Sequence, residues 1–310
     1  MRPPRDQSPH GIVAVLVTHN RPLLLAEALE ALARQTLPAA QVIVVDNASD
    51  RETQQFLDQS SGIRVVRSET NLGGAGGFAL GMRRALDIGA RWVWLMDDDA
   101  IPESTALEAL HRRLASGAER VGALCGAVME FGGIATVHRR RFNGVFGTEH
   151  PVPPAAYADD PVRIDIASFV GFLVSAAAVR NVGLPNAAFF LSYDDTEYSL
   201  RLRRAGFDLW LVPDSVIVHK RSPHHRLRST PFGARHYFNV RNRIVVKRAY
   251  CRVGVVGACT GALFGLALWL RSPRCLHRVA RATLVRALAD GFAGRLGPMP
   301  DTLNPVVAHA

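Results

Sequence analysis

Within the first hundred residues, short apolar runs alternate with segments of helical spacing, and three of the runs stop abruptly in polar or acidic residues. Ile12–Thr18 (IVAVLVT) stops at Thr-His-Asn, Gln41–Val45 (QVIVV) at Asp46-Asn47-Ala48-Ser49-Asp50, and Arg91–Met96 (RWVWLM) at Asp97-Asp98-Asp99, with Ile63–Arg67 as a further run. Unbroken apolar runs of this length read as strands covered on both faces, the usual state of parallel strands. Helical segments separate them: Leu23–Arg34 behind Pro22, Thr53–Leu57, and Phe78–Ile88 behind the Gly-rich Asn71–Gly77. The order β-α-β-α-β-α-β predicts an α/β fold with a mostly parallel, Rossmann-like sheet flanked by helices. Ligands of such sheets gather at the carboxyl ends of the strands, where these polar clusters fall.

Further on, Ser104–Ser116 is expected as helix, Val121–Met129 as strand, and His138–Ala158 as loop. Thr196–Ala205 is expected as helix, closed by Gly206, with short strands Leu209–Val212 and Ser215–His219 on either side of Pro213. Then the chain changes character. Residues 1–219 carry 21 basic against 25 acidic side chains, whereas residues 220–310 carry 16 against 2. Arg235–Arg252 mixes aromatic, apolar and basic residues at helical spacing, and Val253–Leu270 runs for 18 residues without a charge between flanking arginines. That length is the lower edge for crossing a bilayer, and Gly254, Gly257, Gly261 and Gly265 dilute its hydrophobicity. A buried core helix, an interfacial or re-entrant helix and a span all stay open, and the glycine spacing also suits packing against another helix. Arginines beside an apolar face fit an anionic membrane surface better than nucleic acid. The four cysteines form no Cys-x-x-Cys pair, so neither a zinc ribbon nor a disulfide scaffold is expected. The opening MRPPRDQSPHG has no apolar stretch, so no secretory signal is expected, and the chemistry is placed on the cytosolic side.

Four groups of residues carry candidate chemistry. The carboxylates Asp97-Asp98-Asp99 repel one another, and a divalent cation relieves that repulsion. Oxygen ligands suit Mg2+ or Mn2+ together with a diphosphate. Alternate strand residues share a face, which makes Asp97 and Asp99 the better ligand pair. The plain alternative is a solvated acidic turn in which Asp99 caps the segment after it. Asp194-Asp195-Thr196-Glu197 opens a helix, either as dipole-matched caps or as a general base held at a cleft. His219 closes the run SVIVH, as a structural histidine or as a third metal ligand. The glycines of Asn71–Gly77 let backbone approach either a phosphate or a packed neighbour. They form no dinucleotide fingerprint, which belongs after the first strand, and no P-loop, which needs Gly-Lys-Ser/Thr.

Taken in order, VAVLVTHNR, VIVVDNASD, NLGGAGGF, WVWLMDDD, DDTEYSLRLRRAG and VIVH resemble glycosyltransferase family 2, inverting enzymes of the GT-A fold, over about residues 12–220. RNRIVVKRAY and DGFAGRLGP resemble the C-terminal region of that family. The likeness is nearest to bacterial galactofuranosyltransferases of cell-wall galactan synthesis, and related rhamnosyltransferases share much of the pattern. The resemblance implies a GT-A nucleotide-sugar domain over residues 10–230 and a helical, membrane-associating region over residues 231–310. It implies that Thr18, Asn20 and Asp46 hold the nucleotide base and ribose, with Asp98 beside the nucleotide or behind the metal ligands. Asn71, Gly73 and Gly74 would line the donor sugar and diphosphate, and Asp97, Asp99 and His219 would hold Mn2+ or Mg2+. Asp195 would be the general base, and Asp194 would contact the acceptor.

The implied donor is UDP-galactofuranose, and the implied acceptor is a polyprenyl-diphosphate-linked glycan. The implied location is the inner face of the cytoplasmic membrane, held peripherally or monotopically. A dTDP-rhamnose donor and a non-catalytic membrane-bound scaffold are the alternatives, and homo-oligomerisation stays open. A sugar-phosphate nucleotidyltransferase is disfavoured, because no Gly-rich, basic triphosphate loop comes after the first strand. Inverting transfer needs one base and no protein nucleophile, and a metal takes up the charge of the departing diphosphate.

Overall fold

The computed structural model describes residues 11–115, 120–158, 160–221 and 227–299. The first ten residues and the expected helix end at Ser116 lie outside them. The apolar runs form β1 (Ile12–Thr18), β2 (Gln41–Asn47), β3 (Ile63–Ser68) and β4 (Trp92–Asp97), parallel and in the spatial order β3-β2-β1-β4. Between them run α1 (Pro22–Ala33), α2 (Arg51–Gln59) and α3 (Gly73–Asp87). Every residue of β1 is buried, with one apolar core on each face of the sheet. Pro22 occupies the first turn of α1, and Asp50 caps α2 by accepting from the Thr53 amide at 2.9 Å.

The chain continues through β5 (Ala100–Pro102), α4 (Ala106–Ala115), β6 (Val121–Glu130), β7 (Gly133–Ile134), β8 (Arg139–Asn143), β9 (Thr148–Pro151), β10 (Val162–Ile164), β11 (Ile166–Ala167) and β12 (Phe172–Ser175). Then come α5 (Ala176–Val182), α6 (Asp194–Arg204) and β13 (Asp208–His219). β12 extends the sheet antiparallel to β4 and β6, β13 lies parallel to β6, and β10 closes the edge. The sheet is mixed but mostly parallel, as the sequence order predicts.

Four local expectations are corrected. The glycine stretch is not a loop before a helix but the first turns of α3 itself. A Cβ at Gly77 would meet Val17 at 2.6 Å, and one at Gly81 would meet Val15 at 2.3 Å, so only glycine lets α3 lie this close to β1. Residues 138–158 are not loop throughout: β8 and β9 join β11 in a separate antiparallel sheet. Its strands are polar (RRRFN, TEHP) and give no apolar run. The buried Arg139 ties them to the main sheet by donating to the carbonyls of Gly126, at 2.8 Å, and Val170, at 2.7 Å. The two short strands around Pro213 are one strand, β13, whose pairing with β6 slips between Val212 and Val216, where the missing proline amide is tolerated. β2 runs on through Asp46 and Asn47, whose buried side chains find partners beyond the strand end.

The C-terminal region is helical, as expected: α7 (Ala234–Tyr250), α8 (Gly254–Arg271) and α9 (Arg278–Ala293), the last with no strong signal in the sequence. The glycines of α8 face α7. A Cβ at Gly257 would strike the Lys247 carbonyl at 2.2 Å, and one at Gly265 would strike Val240 at 2.6 Å. Tyr237, Val240 and Ile244 of α7 share a core with Ala280, Leu284 and Ala287 of α9.

Candidate active site

Asp97 ends β4, Asp99 lies in the turn after it, and His219 ends β13. One ligand atom from each lies within 4.8 Å of the other two. Asp99 Oδ1 is buried without a well-directed hydrogen bond and lies 3.2 Å from Nε2 of His219. Burial, together with repulsion from Asp99, raises the pKa of Asp97 to about 7. Burial lowers His219, yet the facing carboxylates of Asp99 and Glu130 outweigh this and raise it to about 10. Two carboxylates and an imidazole with an orphaned buried oxygen fit Mn2+ or Mg2+, which would displace protons as it bound.

Asp98 turns away from this triad. It accepts from Thr18 Oγ1 at 2.8 Å and from Arg21 Nη1 at 3.1 Å, and the same Arg21 nitrogen reaches Asp99 at 3.0 Å. A cavity of ≈ 530 Å³ opens over the three aspartates and His219, with Arg21, Lys220, Arg221 and Arg235 on its wall. An acidic floor under a basic wall suits a metal-bound polyphosphate.

The other acidic pair stands close by. Burial, then repulsion from Asp195 and Asp97, pushes Asp194 well above the usual carboxylate range. Asp195 accepts from the Thr196 amide at 2.5 Å. Burial raises its pKa too, opposed by Arg140. Leu191 and Ser192, in the turn that leads to the pair, line the cavity.

The family model for glycosyl transferase family 2 matches residues 13–172. The chain belongs to glycosyltransferase family 2. It is 36% identical over 202 residues to galactofuranosyltransferase GlfT1 of Mycolicibacterium smegmatis, an alignment that covers 63% of this chain and 66% of that protein. It is 23% identical over 209 residues to the dTDP-rhamnosyl transferase RfbF of Shigella flexneri, covering 67% and 69%. The mannosyltransferase PcManGT from Pyrobaculum calidifontis, solved with GDP-Man and Mn2+, shares the fold at a TM-score of 0.57 and 15% identity, over 94% of this chain and 88% of that one.

Apart from Asp194 and Asp195 on α6, the residues that the resemblance assigned in this glycosyltransferase fall into three places. Thr18 bonds Asp98 beside the candidate ligand group of Asp97, Asp99 and His219. Asp46 and Asn20 lie at the carboxyl ends of β2 and β1. Asp46 accepts from the Ser49 amide at 2.9 Å, and Asn20 Oδ1 accepts from the Asp50 amide at 2.7 Å. Asn71 Oδ1 accepts from Asn47 Nδ2 at 3.2 Å and from the Gly73 amide at 2.8 Å. It lines a neighbouring cavity with Gly76 and Phe190, not the one over the aspartates. Gly73 is pressed against the Phe190 carbonyl, which a Cβ would meet at 2.0 Å, and a Cβ at Gly74 would meet nothing within 4 Å.

Sequence reasoning passed over Arg21, Glu130, His138, Arg140 and Glu149. Glu130 had a signal, since an acid closes an apolar run at the carboxyl end of β6 just as the assigned aspartates do. The arginines and His138 had none, because the segment carrying most of them reads as loop.

Proposed function

We propose that this glycosyltransferase is an inverting, metal-dependent galactofuranosyltransferase. It would move galactofuranose from UDP-galactofuranose to a polyprenyl-diphosphate-linked glycan in cell-wall or surface polysaccharide synthesis. The observation that carries the reading is the meeting of Asp97, Asp99 and His219 under a basic cavity wall, with Asp97 close enough to Asp194 of α6 to help raise its pKa. The likeness to the mycobacterial galactofuranosyltransferase supports the donor.

In this reading, Asp97, Asp99 and His219 hold Mn2+ or Mg2+. A cation held there would supply charge stabilisation to the departing nucleoside diphosphate. Arg21 and its cationic neighbours on the wall balance the remaining phosphate charge. Thr18, Asn20, Asp46 and Asp98 serve the nucleoside side, and Asn71, Gly73 and Gly74 the donor-sugar side. Asp195 takes the proton of the acceptor hydroxyl, and Asp194 contacts the acceptor. The transferase domain covers residues 10–230, and residues 231–310 dock on the inner face of the cytoplasmic membrane.

Surface chemistry supports the docking. α8 is long and apolar enough to cross a membrane, but its glycine face is spent on α7. Its outer face leaves Val255, Leu263 and Leu270 exposed at 72%, 65% and 61%. Arg252 before α8, Arg271 at its end, and Arg274 and Arg278 after it are exposed. That pattern suits a helix lying in the plane of an anionic surface.

The 23% identity to the dTDP-rhamnosyl transferase keeps dTDP-rhamnose as a second donor reading. Both are tested by measuring nucleoside diphosphate release from UDP-galactofuranose and from dTDP-rhamnose, with and without Mn2+, on membranes holding the chain. Metal-dependent UDP release supports the first reading, and dTDP release replaces only the sugar. Absence of metal-dependent nucleotide binding would instead favour a non-catalytic scaffold.

A further inference from the structure

The backbone that leads into Asp194 and Asp195 is bent against its own preference. Phe190 (φ 62°), Ser192 (φ 67°) and Tyr193 (φ 66°) all occupy the left-handed region, although none is glycine. Such a turn persists only where its surroundings over-determine it.

Three distant segments, each singled out in the sequence, converge on it. The first is the Arg241-Asn242-Arg243 motif of α7. The Nδ2 group of Asn242 lies 3.0, 2.9 and 2.8 Å from the carbonyl oxygens of Phe189, Leu191 and Ser192. Arg241 Nε donates to Asn242 Oδ1 at 2.8 Å, which turns the amide donor toward those carbonyls, and Arg241 Nη2 reaches the Phe189 carbonyl itself at 3.1 Å. Both side chains are fully buried. The second is the glycine stretch, where the Ala75 amide donates to the Phe190 carbonyl at 3.2 Å and Gly73 leaves room for it. The third is the closing Gly297, whose amide donates to the Ala188 carbonyl at 2.7 Å.

We propose that Asn242 is a positioning residue that holds the strained 189–193 turn and thereby sets where Asp194 and Asp195 stand relative to the metal cluster. The inference rests on the reading of that acid pair as acceptor-side groups. It explains why a motif at the far end of the chain belongs to the reaction without touching substrate.

The test uses the full-length chain, Mn2+, UDP-galactofuranose and a synthetic polyprenyl-diphosphate-linked glycan. Asn242→Leu removes the donor while keeping the branched shape of the side chain. Turnover of the transfer reaction is expected to fall about 10²-fold, the scale of loss caused by an ångström-scale misplacement. Mn2+-dependent UDP affinity is expected to stay within about twofold, since the nucleotide groups sit on other elements. Ser192→Gly in the same chain is expected to restore part of the loss, because glycine takes a positive φ without strain. Unchanged turnover, equal loss of UDP binding, or no recovery by Ser192→Gly would each overturn the inference. If Asn242→Leu does not fold, Tyr193→Phe probes the same turn by removing only the hydroxyl that donates to Glu149 at 2.7 Å. A selective loss of turnover is again expected, and full turnover with intact binding would overturn the proposal. Wild-type protein that binds no nucleotide with Mn2+ would sink the glycosyl-transfer reading itself, and this inference with it.

Discussion

Nδ1 of His219 lies 2.7 Å from Oε1 of Glu130, across 89 residues of sequence. That contact leaves Nε2 of the same ring facing Asp99 at 3.2 Å. The same Glu130 oxygen meets Nε2 of His138 at 2.9 Å, and Nδ1 of His138 meets Ser168 Oγ at 2.8 Å. A ligand histidine whose second nitrogen is held by a carboxylate has its tautomer and ring angle fixed before the cation arrives. Glu130→Gln is therefore expected to weaken Mn2+ binding about 10- to 100-fold, read by titrating Mn2+ and measuring free ion by EPR. Unaltered Mn2+ affinity would mean that other contacts orient the ring.

Asp97 and Asp99, as the proposed ligands, should separate binding from stability. Asp97→Asn or Asp99→Asn is expected to abolish Mn2+-dependent UDP binding in calorimetry. Without metal, Asp97→Asn should raise the melting temperature, because it removes a buried like-charge contact. A lower melting temperature without metal would show that Asp97 has a structural partner.

Asp194 and Asp195 are adjacent but face different surroundings, Asp97 in one case and Thr196 and Arg140 in the other. Asp195→Asn should lower turnover about 10²- to 10⁴-fold with UDP binding intact, as loss of a general base does. Asp194→Asn should act mainly on the KM for acceptor. The opposite ranking would transfer the base to Asp194.

The outer face of α8 gives a membrane prediction. Leu263→Glu with Leu270→Glu places charge on side chains that are 65% and 61% exposed, so folding should be unaffected. Co-sedimentation with vesicles containing anionic lipid is expected to fall steeply. Retained binding would place the membrane contact elsewhere.

Asp290 of α9 accepts from Tyr237 Oη at 2.8 Å, Arg286 Nε at 2.6 Å and Arg295 Nε at 2.7 Å, and is 2% exposed. Burial works to raise its pKa, but the two arginines and the tyrosine prevail and lower it. A folded pKa below the unfolded one means stability that is present above about pH 4 and lost as pH falls through the folded value. Asp290→Asn should cost on the order of 2 kcal/mol at pH 7, and the difference should shrink on acidification. Urea unfolding at pH 7 and at about pH 3.5 checks both; equal loss at the two values would place its role in shape rather than charge.

The succession of strands in the first half was legible because β1, β2 and β4 are apolar in their own right, and a buried parallel strand needs nothing else to declare itself. That Asp97, Asp98, Asp99 and His219 end strands or turns at one edge of the sheet was legible for the related reason that polar residues closing such runs gather at the carboxyl ends of the strands. β8 and β9 were not legible. Their polar strands are held by backbone pairing and by Arg139, whose carbonyl partners Gly126 and Val170 lie in other elements.

By itself, then, the sequence determined the α/β layering, the edge where ligands gather and the residues ending the strands there, since all arise from local periodicity. Which of those residues meet, and what holds them, was decided by tertiary structure alone. Glu130 behind His219, Asn242 beneath the turn before Asp194, and the glycines of α8 against α7 are pairings between groups far apart in the chain. Each depends on directional contacts in a dry interior, where a carboxylate or an amide has meaning only through the partner that the fold brings to it.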